Sequence, residues 1–510
     1  MAAIILATLN ARYVHASLGL RYLAANLGEL ESETRIMEFV LGMRPVDIVE
    51  ALLKESPRIV GLGVYIWNAE EMTRVAAMLK AVAPEVAIVA GGPEVSHEVP
   101  EQRIAALADY VVTGWGETSF AGLCRDLLGG HKPRSRIIAG EQAPLGGIAF
   151  PYRLYGGEDI ARRFLYVEAS RGCPFKCEFC LSSLDKTAWP FDTERFLAEM
   201  RALYDRGARH FRFVDRTFNL NVGASLRILE FFLERMDERL FVHFELVPDY
   251  LPEKLRAAIA RFPQGSLQFE IGIQTFNPEV QALISRRQDN AKAAENFLWL
   301  REHSNALIHA DLIAGLPGED LKSFGRGFDR LLALRPHEIQ VGVLKRLRGT
   351  PIARHTEAHR MRYNPDPPYN VLATARIGFG DLQRMTRFAR YWELVGNSGR
   401  FPRALALLLG EGRADSAFWR FMGFSDWLFG ASGKTHEFAL ERLFELLHAY
   451  LTGRLGVASE AATEALAADY GASGARGRPA FLRRGTSVGD APRTRGSQRA
   501  PMRQLRRARG

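Results

Sequence analysis

The stretch Cys173-Pro174-Phe175-Lys176-Cys177-Glu178-Phe179-Cys180 carries three of the four cysteines in this chain of 510 residues. The spacing CxxxCxxC sets three soft thiolate ligands close together, and such ligands favour zinc, copper(I) or an iron–sulfur cluster. A structural zinc site usually takes four protein ligands, arranged as two separated pairs. Three close cysteines without an evident fourth therefore favour a 4Fe–4S cluster with one iron left open. The alternative is a zinc site completed by His210 or Cys124.

The composition is that of an ordinary globular protein, long enough for two or three domains. The chain is 47% hydrophobic and 25% charged. It has no cleavable N-terminal signal and no apolar run near 18 residues, so we expect neither export nor a membrane span. Four cysteines, three of them clustered, argue against a disulfide framework and indicate a reducing cytoplasm.

The net charge of +9 comes entirely from the last forty residues. Residues 471–510 hold eleven arginines and one acid, Asp490, so the other 470 residues sum to −1. The folded body therefore has no bulk positive charge for nucleic-acid binding. The tail is rich in Gly, Ala, Arg and Pro, and it lacks the apolar content needed to fold. We predict a disordered, solvated tail; the alternative is an arm that binds nucleic acid or a membrane surface.

Residues 1–140 alternate apolar strands with helical patterns, which predicts a Rossmann-like parallel sheet of five strands covered on both faces. Such sheets bind ligands beyond the carboxyl ends of their strands. Two of these ends are rich in glycine, namely Gly91-Gly92-Pro93-Glu94 and Gly114-Trp115-Gly116-Glu117. No G-x-G-x-x-G follows the first strand, which disfavours a dinucleotide site.

A second βα alternation after residue 160 predicts a partial, open (β/α)6 barrel of the TIM type. Three of its strands carry polar residues at every second position: His243 and Glu245, then Gln268, Glu270, Gly272 and Gln274, then His309 and Asp311. A period of two puts each set on one face of its strand. If these polar residues faced outward, the surrounding helices would bury them at a high cost in free energy. We therefore expect a wide barrel whose interior encloses a polar ligand.

The motif carries an aromatic residue, Phe179, directly before its last cysteine, and it follows the first barrel strand. Barrel enzymes place their chemistry at this end of the strands. In both respects residues 165–351 resemble the radical S-adenosylmethionine (SAM) superfamily. The resemblance implies that Cys173, Cys177 and Cys180 bind three irons of a 4Fe–4S cluster and that SAM chelates the fourth. It also implies reductive cleavage of SAM to a 5′-deoxyadenosyl radical, and an electron donor such as flavodoxin or ferredoxin.

The same resemblance implies SAM contacts at Phe179, Asp215, Glu270, Gln274 and Asp311. Phe179 occupies the position that contacts adenine. Asp215 ends the second strand, where the family has a Gly-Gly-Glu-like element for the amino group of SAM, although no Gly-Gly is present here. Residues 270–275 resemble the fourth-strand segment near the methionyl and ribose parts. Residues 311–319 resemble the fifth-strand segment and its turn, and a purely structural turn is an equal alternative.

The two glycine-rich strand ends resemble the cobalamin-binding domain that precedes many radical SAM domains, and this resemblance covers residues 1–140. It implies cobalamin contacts at Gly91, Gly92, Pro93, Gly114 and Gly116. The D-x-H-x-x-G loop of base-off, His-on cobalamin proteins is absent. We therefore predict that His15 is a surface or packing histidine and not a lower axial ligand.

The remaining boundaries are a linker at 141–160, the radical SAM barrel at 161–352, a helical C-terminal domain at 353–470 and the tail at 471–510. The C-terminal helices are rich in aromatic residues, for example Tyr391-Trp392 and residues 418–424. We interpret these aromatic residues as core. The region resembles the C-terminal domain of unknown function in some cobalamin-type radical SAM proteins.

Together these resemblances imply a cobalamin-dependent radical SAM methyltransferase that acts on an unactivated carbon or on phosphorus. SAM would then donate a methyl group to cobalamin and also supply the radical. The sequence assigns no catalytic side chain and no substrate. The alternatives are a radical rearrangement without methyl transfer and a non-catalytic cobalamin-binding sensor. A tRNA methylthiotransferase would need three further N-terminal cysteines, whereas Cys124 is the only cysteine outside the motif.

Overall fold

The computed structural model describes residues 2–185, 187–410, 415–475, 477 and 479–482. Within them the chain forms two sheets of six parallel strands, one after the other in sequence, and then a largely helical region. The predicted α/β class, with a Rossmann-like sheet before a partial barrel, is confirmed.

The N-terminal sheet consists of six parallel strands with helices on both faces. Its elements are β1 Ile4–Asn10, α1 Leu18–Ala25, β2 Thr34–Val40, α2 Pro45–Leu53, β3 Ile59–Gly63, α3 Ala69–Val82, β4 Ala87–Gly91, α4 Arg103–Leu107, β5 Tyr110–Thr113, α5 Glu117–Leu128 and β6 Ile137–Ala139. The strand order is β2-β1-β3-β4-β5-β6. This order reverses between β1 and β3, where such sheets leave a crevice for a ligand. Strand β6 was not predicted, because its three residues form an edge strand that is mostly exposed and too short for a periodic pattern.

The segment that joins the two sheets is packed against the second one. Phe150, Tyr152 and Tyr155 are buried in the core of the barrel. The Tyr152 hydroxyl donates to the Glu168 carbonyl (3.1 Å) and accepts from the Glu168 N–H (3.0 Å). The predicted linker, residues 141–160, therefore fixes the end of the first barrel strand.

The second sheet is an open barrel of six parallel strands. Its elements are α6 Gly157–Arg162, β7 Leu165–Val167, β8 Ser170–Arg171, β9 Trp189–Pro190, α7 Thr193–Asp205, β10 His210–Phe213, α8 Val222–Leu233, β11 Phe241–Leu246, α9 Glu253–Ile259, β12 Leu267–Gln274, α10 Pro278–Leu283, α11 Asn290–His303, β13 Leu307–Ala314, α12 Leu321–Ala333 and β14 Glu338–Val343. The strand order is β7-β10-β11-β12-β13-β14, and β8 pairs with β9 in a short antiparallel ribbon. In the described residues β7 and β14 do not pair, so the barrel is open between them.

The C-terminal region packs its aromatic residues against the outer helices of the barrel. Its elements are β15 Arg362–Tyr363, β16 Val371–Ala373, α13 Phe379–Val395, α14 Pro402–Leu409, α15 Ala417–Ser432, α16 Leu440–Gly453 and α17 Ser459–Ala472. Trp392 of α13 lies edge-on to Phe328 of α12 and to Phe421 of α15, with 4.9 Å between ring centroids in each pair. The predicted core role is confirmed for Tyr391, Trp392, Phe418, Phe421 and Phe424, and it is wrong for Trp419, whose side chain lies at the surface with 41% of it exposed. None of the described helices is both long and apolar enough to cross a membrane.

The first part of the predicted tail packs on the C-terminal helices. The Phe481 ring stacks on His448, with 4.5 Å between centroids, and the Ala480 N–H donates to Glu445 (3.0 Å). Residues 483–510, which carry most of the arginines, lie outside the described residues. The prediction of a disordered tail therefore stays a prediction for them.

Truncation after Leu482 is expected to leave the thermal unfolding midpoint and the iron content unchanged. Truncation after Tyr470 should lower the midpoint by a few degrees, because it removes the end of α17 and the Phe481 contact, together about 1–2 kcal/mol. Calorimetry of the two truncated proteins beside the full chain measures the difference. A large loss of solubility or stability after truncation at Leu482 would show that the arginine-rich residues pack on the body.

Candidate active site

The cysteine motif lies in a loop at the carboxyl end of β7. Cys173 and Cys177 are buried, Cys180 is partly exposed, and all three thiols are free. Gly172, directly before the motif, has a φ of +82°, and a Cβ there would overlap the carbonyl oxygen of Thr187. The turn into the motif therefore requires glycine. Sequence reasoning did not single out Gly172.

Glu178, inside the motif, fastens the loop to two other parts of the chain. Its side chain is almost fully buried, and the carboxylate lies 2.8 Å from His355 Nε2 and accepts from the Ser285 hydroxyl. The Glu178 N–H donates to the Ile284 carbonyl (3.1 Å), and its carbonyl accepts from the Ile352 N–H (3.0 Å). The loop is thus held by the segment after α10 and by the turn that follows β14. Apart from the position of Glu178 in the motif, no sequence signal indicates this role.

The thiols of the motif are arranged to bind a soft cation. Burial raises the pKa of Cys173 to about 11 and also raises the pKa of Cys177. Arg286 Nη1 lies 3.6 Å from the Cys177 sulfur, and its charge offsets part of the effect on Cys177. Thiol ligands must lose their protons when a metal binds, and the bound metal drives that loss. Neutral, buried thiols of this kind are not the exposed thiolates that act as nucleophiles, and the metal-ligand role of the three cysteines stays a prediction.

A single metal ion does not fit these residues. In the part of the chain that the structure describes, no three Cys, His, Asp or Glu side chains converge to hold one ion. Cys124 is buried within α5 in the N-terminal core, and His210 begins β10 at the amino end of the barrel. The alternative zinc site completed by either residue is therefore not supported. A 4Fe–4S cluster binds each thiolate through a different iron, which suits three spaced cysteines on one loop.

The predicted alternation of polar residues builds a polar barrel interior. The parallel register aligns one residue from each of four strands in a single layer: Glu245, Glu270, His309 and Glu338. His243 Nε2 lies 3.3 Å from the Glu270 carboxylate, and His309 Nδ1 lies 3.2 Å from that of Glu338. The alternate apolar residues, such as Phe244, pack with the outer helices in the main core. The polar and apolar sets therefore occupy opposite faces, as predicted.

Burial and charged neighbours shift the pKa values of the titratable groups inside the barrel in different directions. Burial raises the pKa of Glu245 to about 7, although Arg216 donates to it at 2.7 Å. Burial would also raise the pKa of Glu270, but the hydrogen bond from His243 and the charge of His309 hold it below its usual range. Burial lowers the pKa of His309, yet its carboxylate neighbours outweigh this and raise it to about 10. The interior thus presents both charged signs to a ligand at neutral pH.

Two buried polar atoms in this interior, Gln274 Oε1 and His243 Nδ1, have no hydrogen-bond partner among the described residues, whereas Asp311 Oδ1 and His309 Nε2 lie 3.3 Å apart as an ion pair. Buried polar atoms normally pair with protein, water or a ligand. Gln274 has a φ of +67° at a bulge in β12, and its amide folds back over Gly272. Such strain in a non-glycine residue concentrates at functional sites. The arrangement fits a ligand rich in amino, carboxylate and hydroxyl groups, as SAM is.

The other two predicted SAM residues make different contacts. The Asp215 carboxylate accepts from the Ala169 N–H (3.0 Å) and the Ser170 hydroxyl (2.6 Å), so it holds the stem of the cluster loop. Burial raises its pKa to about 7 against these hydrogen bonds. Phe179 packs against an apolar cluster that includes Leu316. The SAM contacts of all five residues, Phe179, Asp215, Glu270, Gln274 and Asp311, stay predictions.

A cavity of about 470 Å³ lies beyond the carboxyl ends of the N-terminal strands. All five predicted cobalamin residues line it: Gly91, Gly92, Pro93, Gly114 and Gly116. Gly92 has a φ of +114°, and a Cβ there would press on the Val64 backbone. Leu20 and Phe120 give the cavity an apolar wall, and Arg171 lines it from the barrel. The structure thus brings the five residues together at one ligand-sized cavity, while their contacts with cobalamin stay predictions.

His15 lies at the junction of the two sheets. Its Nδ1 is 2.6 Å from the Tyr166 hydroxyl, and the two rings stack with 6.1 Å between centroids. Burial lowers its pKa, and the charge of Arg212 adds to the effect. The predicted packing role of His15 is confirmed.

Comparison with known families divides the chain into three matches. The B12 binding domain family matches residues 4–124, the Radical SAM superfamily matches residues 167–331, and a protein family of unknown function (DUF4080) matches residues 357–500.

Among curated proteins, an uncharacterized methyltransferase of Pyrococcus horikoshii is 31% identical over 241 residues, 41% of this chain and 52% of that protein. The 2-(S-pantetheinyl)-carbapenam-3-carboxylate methyltransferase of Streptantibioticus cattleyicolor is 26% identical over 359 residues, 60% of this chain and 50% of that protein. The chain spans about half the length of the curated relatives it matches.

Among solved structures, the radical SAM methyltransferase TsrM of Kitasatospora setae, with cobalamin and a [4Fe-4S] cluster bound, has a similar fold. The TM-score is 0.60 at 16% identity, over 84% of this chain and 100% of that one. The chain thus joins a B12 binding domain to a radical SAM superfamily domain and a C-terminal DUF4080 domain.

Proposed function

We propose that the chain is a cobalamin-dependent radical SAM methyltransferase that acts on an unactivated carbon or on phosphorus. The observation that carries the proposal is the position of the N-terminal cavity directly beside the cluster loop. Arg171, two residues before Cys173, lines that cavity. Both curated relatives are named as methyltransferases, which supports the same reaction class. The substrate is not identified.

Different residues of the chain would bind the cluster and SAM. Cys173, Cys177 and Cys180 would hold the cluster, and Glu178 fixes their loop. The unpaired side-chain oxygen of Gln274 and the Asp311 carboxylate, which is paired with His309, would bind and orient SAM in the barrel. When bound, the cluster supplies an electron for the cleavage of SAM, and cobalamin supplies the methyl group. The buried loop and the enclosed barrel exclude water and oxygen from that chemistry.

The five glycine and proline residues at the carboxyl ends of β4 and β5 would allow the backbone to approach the corrinoid closely. No protein histidine would bind the lower face of cobalt, because His15 is engaged with Tyr166 at the sheet junction. A substrate and a low-potential reductant are required, and flavodoxin or ferredoxin as donor stays a prediction. The cytoplasmic location also stays a prediction.

The test is an anaerobic assay of the full chain with a reconstituted cluster, cobalamin, SAM and dithionite. We expect cobalamin to co-elute with the protein, and both 5′-deoxyadenosine and S-adenosylhomocysteine to form. His15→Ala should retain cobalamin at the wild-type stoichiometry, measured after gel filtration. Formation of 5′-deoxyadenosine without any bound cobalamin would overturn the methyltransferase proposal and leave the radical SAM chemistry in place.

A further inference from the structure

The N-terminal domain contacts the open barrel near both of its edge strands. The strands at the two free edges are β7 and β14. Just beyond each edge strand, one arginine reaches a cavity-lining loop of the N-terminal sheet. Arg171 follows β7 and contacts the loop after β5, whereas Arg348 follows β14 and contacts the loop after β4. Each of these two cavity loops is therefore held against one edge of the barrel. We call the contacts of Arg171 the clamp at β7 and those of Arg348 the clamp at β14.

The clamp at β7 is buried and has several contacts. Arg171 Nη1 lies 2.7 Å from the Glu117 carboxylate of the N-terminal domain, and Nε donates to Glu168 of the barrel at 2.7 Å. Its guanidinium also stacks over Tyr22 and Trp115, at 4.5 and 4.9 Å from the ring centroids. Buried, paired guanidinium groups that also contact aromatic rings are held in one orientation. All four partner residues line the cavity.

The clamp at β14 involves the C-terminal region as well. Arg348 Nε donates to the Glu94 carboxylate (3.0 Å), and Nη1 donates to Glu98 (3.1 Å). The Tyr369 hydroxyl donates to the same Glu94 carboxylate (2.6 Å) and accepts from Arg348 Nη2 (3.0 Å). Glu94 directly follows the predicted Gly91-Gly92-Pro93 segment. This clamp thus holds the other cavity loop by a comparable set of charged hydrogen bonds.

The two clamps differ in their connection to the cluster loop. Arg171 forms the stem of that loop, since it pairs with Trp189 in the ribbon of β8 and β9 and precedes Gly172 and Cys173. Its side chain lines the cavity at the same time. Arg348 approaches the loop only through the chain that follows it, where Ile352 N–H donates to the Glu178 carbonyl.

We infer that Arg171 is a positioning residue that couples the two cofactor sites. Occupation of the cavity fixes Glu117, Trp115 and Tyr22, which fix Arg171 and with it the stem of the cluster loop. An assembled cluster fixes the same stem from the other side. Cobalamin binding and cluster assembly therefore strengthen each other by the same factor, because coupling between two sites is reciprocal. The inference rests on the proposed function, since it takes cobalamin as the cavity ligand.

The experiment measures aquacobalamin binding to the full chain by equilibrium dialysis, with and without a reconstituted cluster. For the wild type we expect a dissociation constant about tenfold lower with the cluster present. At equilibrium, bound cobalamin should raise by a similar factor the chelator concentration that removes half of the iron. In Arg171→Met both ratios should fall to about one, and Arg171→Lys, which keeps the charge without the forked geometry, should be intermediate. Arg348→Met is the matched control, and it should weaken cobalamin binding in both forms while keeping most of the ratio.

Thermal unfolding of each variant separates coupling from misfolding, because Arg171→Met leaves two carboxylates without their partner. If Arg171→Met does not fold, the comparison of Arg171→Lys with the wild type decides. A wild-type protein that binds cobalamin equally with and without the cluster would overturn the inference and leave the proposed function standing. An unchanged ratio in the folded Arg171 variants would also overturn it. A wild type that binds no cobalamin in either form would instead overturn the proposed function.

Discussion

Replacing any one of Cys173, Cys177 and Cys180 by alanine is expected to reduce reconstituted iron from about four atoms per chain to below one. Each thiolate would bind a different iron, so the loss of one opens the cluster to solvent on a second side. Glu178 holds the loop in one conformation through its contacts with Ser285 and His355, so a replacement ligand cannot be recruited by moving the loop. Iron and acid-labile sulfide, measured after anaerobic reconstitution, check the result.

Cys124→Ala is the matched control and should keep the wild-type iron content. Burial in α5 raises the pKa of Cys124 to about 12, so it is a neutral thiol in an apolar core. Loss of iron from a Cys124→Ala protein that unfolds at the wild-type temperature would contradict the assignment. Full iron in a variant of any motif cysteine would contradict it equally.

Gly172→Ala is expected to remove the cluster almost as completely as a cysteine replacement, although it changes no ligand. The φ of +82° disfavours any residue with a Cβ, and the atom that this Cβ would overlap is the backbone oxygen of Thr187. A backbone oxygen cannot rotate away as a side chain can, so the stem of the loop must open. We expect the free energy of unfolding to fall by about 1–3 kcal/mol. Iron per chain and the thermal midpoint measure the two effects.

Gly430→Ala provides the comparison for that glycine. Gly430 lies in α15, and a Cβ there would meet no atom within 4 Å. The change should keep all of the iron and raise the free energy of unfolding by up to about 1 kcal/mol, because alanine favours helix over glycine. A Gly172→Ala protein with full iron and unchanged stability would show that the turn tolerates a side chain.

The sequence was sufficient for the architecture because hydrophobic periodicity reports which faces are buried. The five predicted N-terminal strands and all six predicted barrel strands are present. Alternation along β11, β12 and β13 predicted the polar interior, and the aligned register of Glu245, Glu270 and His309 confirms it. The edge strand β6 was missed because a mostly exposed strand of three residues shows no hydrophobic periodicity.

The site was predicted only where a motif fixes its residues locally. The three cysteines share one loop, and the glycine-rich strand ends share one cavity. The partners of Glu178 and Arg171 could not be found in this way, because they depend on residues more than fifty positions away or on the docking of two domains. The contacts of Asp215 were missed in the same way. The family resemblance at its strand end implied a ligand contact, which stays a prediction, and nothing in the sequence indicated that its carboxylate also accepts hydrogen bonds from Ala169 and Ser170.

The dependence of Glu178 on distant residues has a consequence for synthesis on the ribosome. The cysteines leave the ribosome well before Ser285, Ile352 and His355, which together bury and fix the loop. At usual elongation rates the 174 residues between Cys180 and His355 take on the order of ten to thirty seconds to make. During that time the three thiols lie in a chain whose barrel is not yet completely synthesised. We therefore expect stable cluster insertion only after the chain is complete. Until then the thiols of the nascent chain need reducing conditions.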